Sequence, residues 1–222
     1  MTVLHLADEG EAADLAAFLS RLLHYDRGAA VRLQAAGTAL AVFGRPPSFE
    51  VLAIRAARLA KPYENGLDVT LDVTVSAGEL LEAVDETGAT AVVPGAVTGP
   101  PWAGVLPPRG GWRPVPGLPA PEALRAMVGA GVAEFRARTG ELTAEGRTRA
   151  ELDRIGREIW SRTVGDTHLP VRAVHAAQSL GFLRATGELA LLSSGAWLRL
   201  RTPYGSIAVR RAGLGALDVS VR

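Results

Sequence analysis

A proline-rich stretch near the middle of the chain constrains the fold more than any other feature of the sequence. Nine of the fourteen prolines lie within residues 94–121, together with Trp102 and Trp112. Proline lacks a backbone N–H and fixes φ, so neither a helix nor a central strand runs through such a segment. Each tryptophan carries a large apolar surface that favours burial. We therefore predict that residues 95–120 link two folded domains and lie along their surface.

Residues 1–94 predict an α+β domain, an antiparallel sheet with flanking helices. Asp8 and Glu11 have the spacing of a capping box, and apolar residues at helical spacing follow to about Tyr25. Residues 54–59 fit either a strand or a helix. Short connections between successive strands favour antiparallel pairing. Period-two alternation and apolar runs predict strands over 2–6, 30–36, 38–44, 48–57, 67–75 and 90–93, the last at an edge.

The strand predicted over 67–75 carries an acidic face. Asp68 and Asp72 alternate with apolar residues, so both carboxylates lie on the polar side of a half-buried strand. Two carboxylates at this spacing can hold a hard cation or act as an acid–base pair, but no third ligand is evident. The solvated side of a sheet explains the same pattern, and we favour that explanation. Asp166 and His168 form a second pair without a third ligand.

The sequence lacks the motifs of the common enzyme classes. It contains no glycine-rich phosphate loop, no dinucleotide fingerprint, no nucleophile elbow and no paired-histidine metal motif. The absence of cysteine excludes disulfides, thiolate nucleophiles and zinc sites built on sulfur. We expect no cofactor, no metal and no catalytic residue, and favour a protein that is not an enzyme. An enzyme built on Asp, Glu and Arg stays open.

The region 121–222 predicts three helices followed by a hairpin. Apolar stripes indicate helices from Pro121 to Gly140, within 143–163 and over 169–180. Alternating residues on either side of the turn 202–205 then indicate two strands. Residues 213–222 can return as a further strand. Helices followed by a two-stranded hairpin resemble a winged helix-turn-helix module, and the resemblance covers roughly the last 100 residues.

This resemblance implies a DNA-binding protein, such as a bacterial transcription regulator or a chromosome-associated protein. In a winged-helix module, the third helix enters a groove of the DNA and the hairpin contacts backbone phosphates. On that basis, the nucleic-acid-binding residues are Arg172, His175 and Gln178 on the helix, and Arg199, Arg201 and Arg210 on the hairpin. Arginines on the solvent side of any sheet give the same pattern on the hairpin.

The two halves of the chain differ in charge. Residues 1–120 contain 9 basic and 13 acidic side chains, net −4, whereas residues 121–222 contain 15 and 10, net +5. A positive half fits an acidic partner, nucleic acid included, and equally fits contact between the halves. No apolar run is long enough to cross a membrane and no secretory signal is evident. We expect a cytoplasmic protein that does not contact membranes.

A second function remains open from the sequence. The same surfaces suit a protein–protein interaction module or scaffold that neither binds nucleic acid nor catalyses a reaction. Under the DNA-binding hypothesis, the N-terminal domain would form a homodimer or bind an effector. Paired prolines at 100–101 and 107–108 allow polyproline II segments, which many partner proteins recognise.

Overall fold

The largest element of the computed structural model is an antiparallel sheet of eight strands. The structure describes residues 2–60, 71–184 and 187–211. The helices of these residues are α1 (Glu9–Tyr25), α2 (Ala77–Glu82), α3 (Pro121–Gly140), α4 (Arg149–Trp160) and α5 (Val171–Ser179). The strands are β1 (Val3–His5), β2 (Ala30–Ala36), β3 (Ala39–Gly44), β4 (Leu52–Arg58), β5 (Leu71–Ser76), β6 (Val84–Asp85), β7 (Thr90–Val92), β8 (Arg113–Pro114), β9 (Ala190–Ser194), β10 (Trp197–Thr202) and β11 (Gly205–Arg210).

Strands from both sides of the proline-rich segment form the eight-stranded sheet. Its order is β5-β2-β3-β4-β11-β10-β9-β8. The antiparallel neighbours β2, β3 and β4 confirm the predicted pairing, and residues 54–58 are strand rather than helix. The two groups of strands meet where Ile207 of β11 lies opposite Ala53 of β4. The division into domains 1–94 and 121–222 stays a prediction, and strands of both regions share one sheet.

A smaller sheet of order β1-β7-β6 contacts α1 through β6. The strand predicted over 90–93 exists as β7, but its prediction as an edge strand is wrong. It is the central strand, because β1 occupies its second side with Val3 opposite Val92.

Helices α1 and α5 cover one face of the large sheet, which we call the inner face. The side chain of Asp8 caps α1 by accepting a hydrogen bond from the backbone N–H of Glu11 at 2.9 Å. The burial of each leucine on the α1 stripe contributes about 1.5–3 kcal/mol to folding. The stripe and the facing strands form one continuous core, which includes Leu15, Phe18, Leu19, Leu22, Val31, Leu33, Leu40, Val42, Leu198, Leu200, Ile207 and Val209.

Gly131 allows α3 and α4 to pack closely. A Cβ atom at Gly131 would lie 2.8 Å from the ring of Trp160, whereas one at Gly156 would make ordinary contacts of 3.7 Å with Phe135 and Trp160. Gly156 therefore lowers helix propensity by about 1 kcal/mol relative to alanine at a position where a methyl group would fit. Thr148 caps α4 through the backbone N–H of Glu151.

The predicted helices and hairpin are present, but their surroundings differ from those of a winged-helix module. The hairpin β10–β11 lies inside the sheet, with β9 on one side and β4 on the other, so it is not a projecting wing. Helix α5 contacts β11, α3 and α4, and five of its nine residues are buried. Most of the surface of α5 is therefore used in packing, and Gln178 is the one exposed residue among its three predicted DNA contacts.

The proline-rich segment lies on the surface of the sheet, as predicted. At its start, the N–H of Val97 donates to the carbonyl of Thr74 at 2.9 Å, next to β5. At its end, β8 pairs with β9 and the N–H of Val115 donates to the carbonyl of Leu191 at 2.8 Å. The segment thus crosses the sheet from one edge strand to the other.

Two sequence predictions lie outside the described residues: the part of the acidic strand that contains Asp68, and the strand over 213–222. Within the described ranges, no helix combines the length and the apolar character required to cross a membrane.

Candidate interaction groove on the outer face of the sheet

The face of the sheet opposite α1 and α5, which we call the outer face, carries a second and smaller apolar cluster. Trp102 and Leu106 of the proline-rich segment pack against this cluster. Arg32 holds the segment by donating a hydrogen bond to the carbonyl of Ala103. The sheet residues of the cluster are Phe43, Leu52, Ile54 and Ala208, all buried.

A groove of about 280 Å³ remains open beside this cluster. Space remains there because the floor consists of Ala39, Ala41 and Ala56, whose side chains are only methyl groups. Ala41 and Ala56 lie directly opposite each other on β3 and β4. Pro107 and Pro108 line it as part of the proline-rich segment. The groove is therefore apolar at its base and stiff where the prolines border it.

Arg199 of β10 brings a positive charge into the groove. Its side chain is half-buried, and its guanidinium lies 5.7 Å from the ring centroid of Trp112. Burial lowers the pKa of Arg199 from its ordinary value, and the neighbouring charge of Arg201 lowers the pKa further. Across the described residues, Arg199 has no ion pair, and its buried Nε has no hydrogen-bond acceptor.

The other polar groups at the groove are three side chains that hydrogen-bond one another and a second arginine. Arg32 donates to both carboxylate oxygens of Asp72 at 2.7 and 2.8 Å, and Gln34 donates to Asp72 at 3.0 Å. Arg32 consequently holds the pKa of the Asp72 carboxyl below its usual value. Arg109 lines the groove from the proline-rich segment and is exposed. The groove thus has two arginines, Arg109 and Arg199, that Asp72 does not neutralise by direct contact.

These features define what the groove can hold. An apolar floor binds aliphatic or aromatic side chains by removing them from water. A guanidinium can donate two parallel hydrogen bonds to a planar anion. The combination suits an extended chain that has both apolar and acidic side chains.

The structure separates the six residues that the sequence assigns to nucleic-acid binding. Arg199 lines the groove, whereas Arg201 and Arg210 are exposed on the same hairpin. The other three lie on α5, on the opposite side of the sheet: Arg172, His175 and Gln178.

Two of the three α5 residues are engaged within the fold. The ring of His175, predicted to face outward, lies 4.3 Å from that of Trp160 and 5.0 Å from that of Phe49, centroid to centroid. Burial lowers the pKa of His175, which favours the neutral ring. The Nε of Arg172 lies 3.9 Å from Glu50. Gln178 is exposed. The outward prediction for His175 is wrong because α5 contacts elements on more than one side.

The acidic side chains do not assemble into a metal site in the described part of the chain. No group of three or more His, Asp or Glu residues there could hold a metal ion. Asp72 lies on the polar side of its strand, and its partner is an arginine.

Sequence reasoning missed most of the groove. Arg109 was not predicted to be a site residue. The alanines of β3 and β4 carry no chemical motif that would mark them. The available signal was the alternation of Ala39 and Ala41 with buried Leu40 and Val42, which leaves one strand face without bulk.

Comparison with known proteins gives two family matches and a structural likeness. Residues 1–104 match the model of a domain of unknown function, DUF8010, and residues 107–214 match that of another, DUF8185. No curated protein matches the chain. The fold is similar to the DNA polymerase sliding clamp from Pseudomonas aeruginosa, with a TM-score of 0.51 and 11% identity. The likeness covers 98% of this chain and 66% of the clamp chain.

The likeness to a sliding clamp overturns the hypothesis of a winged-helix DNA-binding regulator. It extends over nearly the whole chain and therefore includes the hairpin and the three helices on which that hypothesis depended. These elements belong to one architecture with the N-terminal strands, as the β4–β11 pairing requires. The winged-helix resemblance reflected a shared order of elements and not a shared packing.

Proposed function

We propose that this chain is a protein–protein interaction module whose outer groove holds an extended segment of a partner protein. The observation that carries the proposal is the groove itself, an apolar depression of about 280 Å³ with an arginine that has no ion pair among the described residues. Binding sites for ligands and peptides are typically concave and largely apolar, with a few well-placed polar groups. The groove has each of these properties.

The shape of the groove favours a polypeptide over a compact small molecule. It extends from the end of β2 and the start of β3 towards β10, and a proline-containing segment forms one side. A bordering segment that is already ordered loses little conformational entropy when a peptide binds, which favours affinity. A chain that lies along the groove could place successive apolar side chains over Ala41 and Ala56.

The structural neighbour supports a protein partner in a limited way. Its name, DNA polymerase sliding clamp, associates that protein with another protein, the polymerase. The chain spans 66% of the clamp, so any partner of this chain has to be identified by experiment.

A selection of phage-displayed random twelve-residue peptides on the wild-type protein tests the proposal. Enriched peptides, labelled and measured by fluorescence anisotropy, should bind wild type. Ala56→Trp should weaken binding by about tenfold or more, about 1.4 kcal/mol, because the indole occupies the groove. The control Ala137→Trp makes the same change at an exposed position on α3 and should leave binding unchanged.

Two outcomes would contradict the proposal. One is a selection that enriches no peptide above background on the folded protein. The other is a set of enriched peptides that bind Ala56→Trp as tightly as wild type, which would assign them to another surface.

A further inference from the structure

Among the described residues that line the groove, Arg199 is a half-buried cation without an ion pair. A half-buried guanidinium has lost part of its hydration, and that loss is unfavourable unless an anion or an acceptor replaces the water. In the described residues, no carboxylate approaches Arg199 within ion-pair distance, and its buried Nε has no acceptor. The nearest assistance from the protein is the ring of Trp112.

We infer that the partner segment carries an acidic side chain, and that Arg199 binds its carboxylate while Arg109 adds a second, exposed positive charge. This inference rests on the proposed function, because it names the chemistry of the segment held in the groove. A carboxylate is planar and can accept two parallel hydrogen bonds from one guanidinium. It would supply the acceptor that Arg199 lacks.

The carboxylate of Asp72, which lies near the groove, already has hydrogen-bond partners within the protein. Asp72 accepts two hydrogen bonds from Arg32 and one from Gln34. Arg32 in turn donates to the carbonyl of Ala103 and so holds the proline-rich segment in place. Because the Arg32–Asp72 pair neutralises itself and has a structural task, the charge of Arg199 remains for a ligand.

The surroundings of Arg199 favour a carboxylate on an apolar segment. The floor next to it consists of methyl groups and the rings of Phe43 and proline residues. An anion paired with arginine beside such a surface is shielded from water, which strengthens the attraction. The apolar neighbours of the acidic residue would contact the alanine floor at the same time.

The test uses the peptides selected on wild type, synthesised with acetylated N-termini and amidated C-termini so that only side chains carry carboxylates. The selected peptides should be enriched in Asp or Glu. Replacing the acidic residue by its amide should weaken binding to wild type by about tenfold or more. The same replacement should have little effect on binding to Arg199→Gln.

Arg201→Gln is the matched control. It removes the same charge two residues along the same strand, from an exposed position that does not line the groove. Peptide binding to this variant should change less than threefold, which separates a direct contact from a general electrostatic effect. Thermal unfolding of both variants should stay close to that of wild type, because Arg199 has no ion pair or hydrogen bond among the described residues and its contact with the ring of Trp112 is long, at 5.7 Å.

The possible failures are distinguishable. If Ala56→Trp abolishes binding but Arg199→Gln and the amide peptides bind normally, the groove is the site and the acidic anchor is wrong. Binding that needs a free C-terminus, or that improves tenfold when phosphoserine replaces the acidic residue, also overturns the side-chain carboxylate. If Ala56→Trp has no effect, the proposed function itself fails.

Discussion

The two faces of the large sheet differ in the partners that they provide for an arginine side chain. On the inner face, Arg55 is 6% exposed and donates to Glu11 at 3.0 Å, to Asp14 at 3.2 Å and to the carbonyl of Tyr204 at 3.1 Å. On the outer face, Arg199 donates to none of the described residues. Arg55 thus has two carboxylates and a carbonyl as partners, with only its Nε left without an acceptor among the described residues, whereas the guanidinium of Arg199 has no such partner there. We assign stability to the first arrangement and the proposed binding to the second.

The largest expected effect comes from removing the inner arginine. Arg55→Met leaves Glu11 and Asp14 without their shared cation, and the free energy of unfolding should fall by about 3 kcal/mol. We expect the low end of the usual range because Arg58 and Arg184 still neutralise these carboxylates in part. Urea unfolding followed by circular dichroism measures the loss.

Arg58→Met provides the control, because Arg58 pairs with the same Glu11 carboxylate. Its side chain is 72% exposed, and exposed ion pairs contribute little, so this variant should stay within about 1 kcal/mol of wild type. Equal losses in the two variants would remove the distinction between a buried and an exposed arginine.

A smaller effect is expected when the cover of the outer face is loosened. Trp102→Ala removes the half-buried ring that packs over the outer cluster and should lower the free energy of unfolding by about 2 kcal/mol. Hydrogen exchange should increase at the amides of Val97 and Val105, while the amide of Leu33 in β2 stays protected. Uniform acceleration at all three sites would show that the segment does not open separately.

The smallest effect concerns the pH dependence of stability. Protonation of His175 on α5 and of Asp72 at the outer face should each lower stability, in different pH ranges. Burial lowers the pKa of His175, so the unfolded chain binds the proton more readily and stability falls as pH drops through about 6.5. The pKa of Asp72 is also lowered, by Arg32, so its contribution persists above 3.8 and is lost only below that value. Unfolding free energies between pH 7.5 and 3 measure both.

Single variants identify each window. His175→Phe should remove the fall in stability that begins near pH 6.5. Asp72→Asn should reduce the fall below 3.8, to which Glu134, Glu151 and Glu158 also contribute because neighbouring arginines lower their pKa values. If His175→Phe has the same pH profile as wild type, the ring of His175 is not the group that couples acid to unfolding.

Local elements were predictable from the sequence because their causes are local. The α1 helix follows from the apolar stripe and the Asp8 cap, and the strands β2 to β4 follow from period-two alternation. The hairpin β10–β11 was predicted with its turn. In each case, residues close together in the chain determine the element.

The groove and the correct environment of the hairpin could not be predicted because they depend on distant residues. An apolar–basic alternation is the same in a projecting wing and in a strand at the centre of a sheet. Only the pairing of β11 with β4 distinguishes them, and nothing in either strand specifies the other. Arg109 and Arg199 line one groove, although 90 positions separate them. His175 shows the same limit, since helical periodicity does not reveal how many neighbours a helix has.

The joint between β4 and β11 has a consequence for biosynthesis. Ile54 pairs with Ser206, about 150 positions later in the chain. A ribosome that adds about 5–20 residues per second delivers β11 roughly ten to thirty seconds after β4. During that interval, β4 is an unpaired sheet edge, which is a template for strands of other chains. The speed at which residues 59–205 are translated therefore sets how long each new molecule is exposed to aggregation.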